Sequence, residues 1–203
     1  ISILTGISLF TLVLQLPDST AIIVLAEPAP GFSLAFHVEP LGYIFACLAS
    51  FLWVVTTIYA IGYMRAHQEK NQTRFYFWFA IAIGATMGIS LAGNMLTLFV
   101  FYELLTLATW PLVTHSQTQK ARRSGRIYLG ILIGTSMMLF LSAISLTWWI
   151  TGSLDFRPGG VFDLEVSPLL LAIIYALFVF GVGKAALMPY LGWGLFIRLV
   201  QSF

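Results

Sequence analysis

Charge is what this chain has least of. Only 9% of its 203 residues are Asp, Glu, Lys or Arg, against 59% hydrophobic ones, and the mean hydropathy is +0.92. A soluble globule of this size needs more polar surface, so the class expected is an all-α integral membrane protein, with no nucleic-acid partner. Cysteine is nearly absent too. Cys47 stands alone inside an apolar span, which excludes a disulfide or thiolate–metal framework and leaves it as a small packing residue. The three histidines do not pair in facing spans at comparable depth, which argues against a b-type haem. No glycine-rich phosphate loop, metal-ligand cluster or nucleophile motif is found. No cofactor and no metal are therefore expected, and no chemistry of the chain's own is assigned. The chain opens at Ile1 inside an apolar run, without Met or a basic n-region, and reads as a fragment rather than as a signal peptide.

What is present is a series of apolar runs. Six spans are read at about 1–16, 41–64, 75–92, 95–115, 127–151 and 168–188. Between the first two, residues 21–38 read as a small β-hairpin at the outer membrane surface. Its second arm alternates Phe32, Leu34, Phe36 and Val38 with Ser33, Ala35 and His37, the period of a half-buried strand. A tight Gly93-Asn94 turn joins the third span to the fourth. The tail 189–203 carries Arg198 and reads either as interfacial or as the start of a seventh crossing.

Loop charges orient these spans. Segment 65–74 holds Arg65, Lys70 and Arg74, and segment 116–126 holds Lys120, Arg122, Arg123 and Arg126. An even number of crossings separates the two, so they share a side. The opposite loops carry Asp18, Glu27, Glu39, Asp155, Asp163 and Glu165 against Arg157. By the positive-inside rule, the basic loops are cytoplasmic in a bacterial-type inner membrane and the hairpin is outside. For Arg122, Arg123 and Arg126 the simplest role is a headgroup anchor in the lipid bilayer.

The fourth span carries a carboxylate, Glu103, near its middle. A charge at mid-membrane costs roughly 2.5–3.5 kcal/mol on insertion scales, so it persists when neutralised, paired or facing internal water. One other charge sits plainly within a span, Lys184, and the residues around it are helix breakers: Gly181, Gly183 and Pro189. Pro111 breaks the span that holds Glu103 in the same way. Backbone released from the helical ladder is tolerated at membrane depth where protein or internal water surrounds it, so a span broken beside a charge looks like an ion site. Opposite charges about 4 Å apart attract by roughly 4 kcal/mol at an effective dielectric near 20. A change in their separation therefore changes the proton affinity of both, and each becomes a switchable carrier. The competing reading is a static salt bridge. Counted along ideal helices, Glu103 lies about 13 Å from Asn94 and Lys184 about 24 Å from Pro168, so a meeting requires the sixth helix to start outside the hydrocarbon or to be shortened by its break. His115 ends the fourth span, where it reads either as a proton relay from bulk to Glu103 or as a helix C-terminal cap. His37 and His67 read as solvated, and Phe75–Trp78 and Trp148-Trp149 as interface belts.

Two motifs then resemble a family. Phe101-Tyr102-Glu103-Leu104-Leu105-Thr106 with Pro111-Leu112-Val113-Thr114-His115, and Gly181-Val182-Gly183-Lys184-Ala185-Ala186-Leu187-Met188-Pro189-Tyr190, are similar to the antiporter-like membrane subunits of respiratory complex I, Mrp-type cation/proton antiporters and membrane-bound hydrogenases. Their wording resembles the D-type member of the Mrp branch. The resemblance runs from about Gly31 to Trp193. It implies a larger fold of two inverted repeats, of which residues 1–203 form one membrane domain, the first half. It also implies that Glu103 and Lys184 are the proton-coupling pair, in a complex moving protons with Na⁺ or K⁺ as candidate coupled cations. The chain departs from the family after the lysine motif, where the usual His-Gly-Trp-Leu-Pro is replaced by Leu191-Gly192-Trp193-Gly194-Leu195, and Glu39 stands where relatives often have aspartate. The implied partners are other membrane subunits, one of them supplying the missing second half. The alternative is a scaffold subunit with no complete ion path of its own.

Overall fold

A computed structural model of the chain describes residues 22–29, 32–115, 117–157, 159–162 and 166–183. The first span, Lys184, Pro189 and the tail lie outside the described residues. The chain falls into two compact units, 1–126 and 127–203.

In the first unit, strand β1 (Ile22–Ala29) pairs antiparallel with β2 (Phe32–His37). Helix α1 (Pro40–Ala66) follows, then α2 (Gln72–Ser90) and α3 (Met95–Val113). Pro40 opens α1 at the position where its missing N–H costs nothing, and Arg65 complements the dipole at the other end. Large apolar residues of α1 such as Leu41, Leu48, Phe51 and Ile58 are exposed. The buried ones are mostly small or polar, Ala46, Ser50, Trp53, Thr57, Ala60 and Met64, at alternating steps of four and three. Helices that face lipid pack through small and hydroxyl side chains in this way. Helix α2 begins earlier than hydropathy alone indicates, because the Gln72 amide donates to the carbonyls of Met64 and Glu69 and winds residues 72–74 into the first turn.

The hairpin is fastened to the turn between α2 and α3. Backbone N–H groups of His37 and Gly93 donate to Leu91 (2.9 Å) and Ala35 (2.8 Å), extending β2 on its second edge. Asn94 caps α3 by accepting from the Thr97 N–H at 2.8 Å, and its amide donates to the Ser33 carbonyl at 2.7 Å. The Thr97 hydroxyl in turn accepts from the Ala35 N–H at 2.9 Å. A tight turn is expected at Gly93-Asn94 from the residues alone; these bonds make that turn the clasp of the unit.

Helix α4 (Gln119–Thr135) corrects one boundary. The basic stretch 116–126 was expected as a loop before a span at 127–151. Helix instead begins at Gln119, with the Thr118 hydroxyl accepting from the Ala121 N–H at 3.1 Å, so Lys120, Arg122, Arg123 and Arg126 ride on its first turns. In the second unit the rest of α4 passes through a π-helical turn, Ser136–Phe140, into α5 (Leu141–Thr151). The wider turn has a local cause. The hydroxyls of Thr135 and Ser136 donate to the carbonyls of Ile131, Leu132 and Ile133, and such back-bonding loosens the α-ladder.

Helix α6 (Pro168–Val182) packs on that turn. Gly181 was expected to break this helix. The helix ends one residue later, at Val182, and the glycine also serves a contact: a Cβ there would lie 2.6 Å from the backbone nitrogen of Phe140. Pro111 likewise sits inside α3, which runs on to Val113. It cannot donate to the Leu107 carbonyl, and the helix runs past that missing bond. Among the described residues, three helical stretches, Pro40–Ala66, Met95–Val113 and Gln119–Thr151, are long and apolar enough to cross a membrane.

Candidate functional site

Glu103 lies about midway along α3, roughly 13 Å from Asn94 and 15 Å from Val113. It is buried, 9% exposed, on the side of the helix that also buries Phe99 and Thr106. The steps from Phe99 to Glu103, Thr106, Trp110 and Thr114 are four, three, four and four residues, which places all five on one face. That face becomes polar from Glu103 onward. Thr106 and Thr114 are buried, their hydroxyls donating to the carbonyls of Tyr102 and Trp110 at 2.9 Å. The indole nitrogen of Trp110 is buried with no hydrogen-bond partner among the described residues. The start of α4 crosses the far end of this line, where a Cβ at Gly125 would collide with the Thr114 methyl.

His115 stands just beyond that end, about 18 Å along the helix axis from Glu103. Its ring meets Phe75 edge-on at 5.6 Å, and both ring nitrogens are buried with no partner among the described residues. The ring lines a cavity of about 350 Å³ with Tyr59, Tyr63 and Met64 of α1 and Phe75 and Phe79 of α2. Glu103 is not part of that wall. Arg74 reaches the end of α3, its guanidinium donating to the Pro111 carbonyl at 3.5 Å. A cation there suits the negative end of the helix dipole.

Of the residues singled out in the sequence, Glu103, Pro111 and His115 share one helix and its exit, Gly181 and Gly183 end α6, and Lys184 and Pro189 lie outside the described residues. His37 contacts the Glu39 carboxylate at 3.3 Å, and His67 shares a hydrogen bond with the Tyr63 carbonyl; neither approaches Glu103 in sequence or element. Among the described residues no three His, Cys, Asp or Glu side chains cluster as metal ligands. The polar face Thr106, Trp110 and Thr114 was missed in the sequence. Its signal was the spacing from Glu103, hidden because threonine and tryptophan are ordinary in an apolar helix.

A buried acid in a bundle of lipid-facing helices defines a class, a polytopic membrane protein with an intramembrane carboxylate. Residues 92–195, just over half of the chain, match the family described as "NADH:quinone oxidoreductase/Mrp antiporter, TM", and the chain belongs to it. It is 29% identical over 174 residues to Hydrogenase-4 component B of Escherichia coli (strain K12), covering 84% of this chain and 25% of that one. It is 27% identical over 168 residues to NADH-quinone oxidoreductase subunit N of Desulforudis audaxviator (strain MP104C), covering 81% and 33%. The chain thus spans a quarter to a third of the length of these relatives. The fold is similar to a chain of the membrane-bound sulfane sulfur reductase, an archaeal respiratory membrane complex, with a TM-score of 0.68 at 18% identity over 90% of this chain and 36% of that one.

Proposed function

We propose that this chain takes part in proton translocation or monovalent cation/proton antiport within a larger membrane complex, with Glu103 and Lys184 as its proton-coupling pair. The observation that carries the reading is Glu103 itself, a carboxylate buried at the middle of an apolar helix, with a polar face leading from it toward His115. Protonation of the acid and separation of the pair move charge laterally between helices, and water along Thr106, Trp110 and Thr114 refills Glu103 from the His115 end. The ring nitrogens of His115 are covered by protein, so its part as a relay requires the ring to swing.

The finer arrangement belongs to the same proposal. Residues 1–203 form one membrane domain of six crossings, the hairpin lies outside, and the basic segments 65–74 and 116–126 face the cytoplasm of a bacterial-type cell. Other membrane subunits surround the chain, and protons, with Na⁺ or K⁺, are the ions moved.

The single cysteine makes a direct test available. In a Cys47→Ser background, cysteines at Thr106, Trp110 and Thr114 are expected to react with a membrane-impermeant thiosulfonate added from the basic-loop side. Leu104, exposed and turned about 100° away from Glu103 around the α3 axis, should react at least about tenfold more slowly, because a thiol in hydrocarbon does not ionise. Equal reactivity on both faces, or none on either, contradicts a hydrated approach to Glu103.

A further inference from the structure

We propose that the cavity between the end of α1 and the start of α2 holds an anionic phospholipid from the adjoining leaflet, its acyl chain inside and its phosphate among Arg65, Lys70 and Arg74. The volume, about 350 Å³, lies within the range of small-ligand pockets, about 300–1,000 Å³. Apart from Thr56 and Glu69 its walls are aromatic and aliphatic, and the nitrogens of His115, the wall's imidazole, are covered by protein. An occupant therefore gains little from hydrogen bonds inside, which favours hydrocarbon over a polar solute.

The way in also points to lipid. Tyr59 and Tyr63 form the wall on the α1 side and are 70% and 49% exposed, continuous with exposed Val55 and Ile58. That is the lipid-facing side of α1, so the cavity opens toward acyl chains. At the other end, three cations each adjoin a lining residue in sequence: Arg65 follows Met64, Lys70 follows Glu69, and Arg74 precedes Phe75. Glu69 is the one acid in the lining. The excess of positive charge selects a phosphate, and an anionic headgroup over a zwitterionic one. Arg74 gives one donor to the Pro111 carbonyl, and a guanidinium has others to offer. The proposal stands apart from the Glu103 and Lys184 reading, since it needs only a bilayer around α1.

The test uses the full chain in its native membrane complex, reconstituted in nanodiscs that contain phosphatidylglycerol with a photoactivatable acyl chain, or the matching phosphatidylcholine. Adducts of the anionic lipid are expected in residues 56–64 and 75–79, several-fold above the zwitterionic one. Arg65→Gln and Lys70→Gln lie on exposed positions and should each lower the anionic adduct about fivefold, the worth of one basic residue near a membrane surface. Ala60→Trp, which fills the cavity, should remove adducts from both segments. Equal labelling by the two lipids that neither charge variant changes would mean ordinary bilayer contact and overturn the proposal. So would crosslinking of these segments to a protein subunit in place of lipid.

Discussion

Replacing Glu103 with glutamine is expected to reduce coupled proton movement by about two orders of magnitude, the lower end of what losing a positioned proton-transfer group costs. The amide keeps the size and hydrogen-bonding capacity of the carboxyl but carries no exchangeable charge. Stability should move little or rise, because the variant no longer places an ionisable group at mid-membrane, where a charge costs roughly 2.5–3.5 kcal/mol. The readout is initial proton uptake by inverted vesicles that contain the assembled complex, with complex abundance measured alongside. Wild-type uptake would assign the chain to the scaffold class, in which Glu103 only accompanies packing and removal of the whole chain disassembles the complex.

The second large effect is structural and falls in the other unit. Gly181→Leu is expected to prevent accumulation of the folded chain, and Gly181→Ala to destabilise it by about 1–3 kcal/mol, the range for overpacking a tight contact. A Cβ at this position meets the backbone of Phe140, 2.6 Å from its nitrogen and 2.8 Å from its Cα, and backbone in a helix cannot rotate aside as a side chain does. Phe178, one turn earlier on α6, meets the Phe140 ring edge-on at 5.9 Å, so the same contact is braced twice. Gly130→Ala and Gly134→Ala serve as controls. Nothing among the described residues lies within 4 Å of a Cβ at either, and replacing a helical glycine by alanine should gain about 0.5–1 kcal/mol. Thermal unfolding of the solubilised complex separates the three variants. A Gly181→Ala melting point equal to that of the controls would show that α6 and the π turn do not bear on one another as described.

Much of this was legible in the residues because the bilayer penalises exceptions. A single carboxylate in the run from Met95 to Val113 stands out against its neighbours, and that contrast named Glu103 before any geometry. Helix extents followed hydropathy wherever the helix ended with its apolar run, as α1 does. They failed at α4, where helix extends into the charged stretch from Gln119 that hydropathy assigns to a loop. The two roles of glycine explain why the contact made by Gly181 was not legible. The missing Cβ both weakens a helix and admits a neighbour's backbone, and only the neighbour, Phe140, decides between them. The π turn depends on hydroxyl bonds to the preceding carbonyls, a pattern that serine and threonine adopt in many helices without widening them. The cavity beside His115 draws on three elements distant in sequence, so no stretch of the chain announces it.

In the proposed function, Glu103 and Lys184 act as one proton-coupling pair. Glu103→Asp shortens the acid by one methylene, and Lys184→Arg lengthens the base, so the two changes bear on the same separation. Initial proton uptake in inverted vesicles should fall about tenfold in each single variant, within the roughly hundredfold that a misplacement of about 1 Å can cost. The account predicts that the double variant is no slower than either single one, because the longer base restores the reach that the shorter acid lost. A double variant about a hundredfold below wild type, the product of two independent losses, would contradict it.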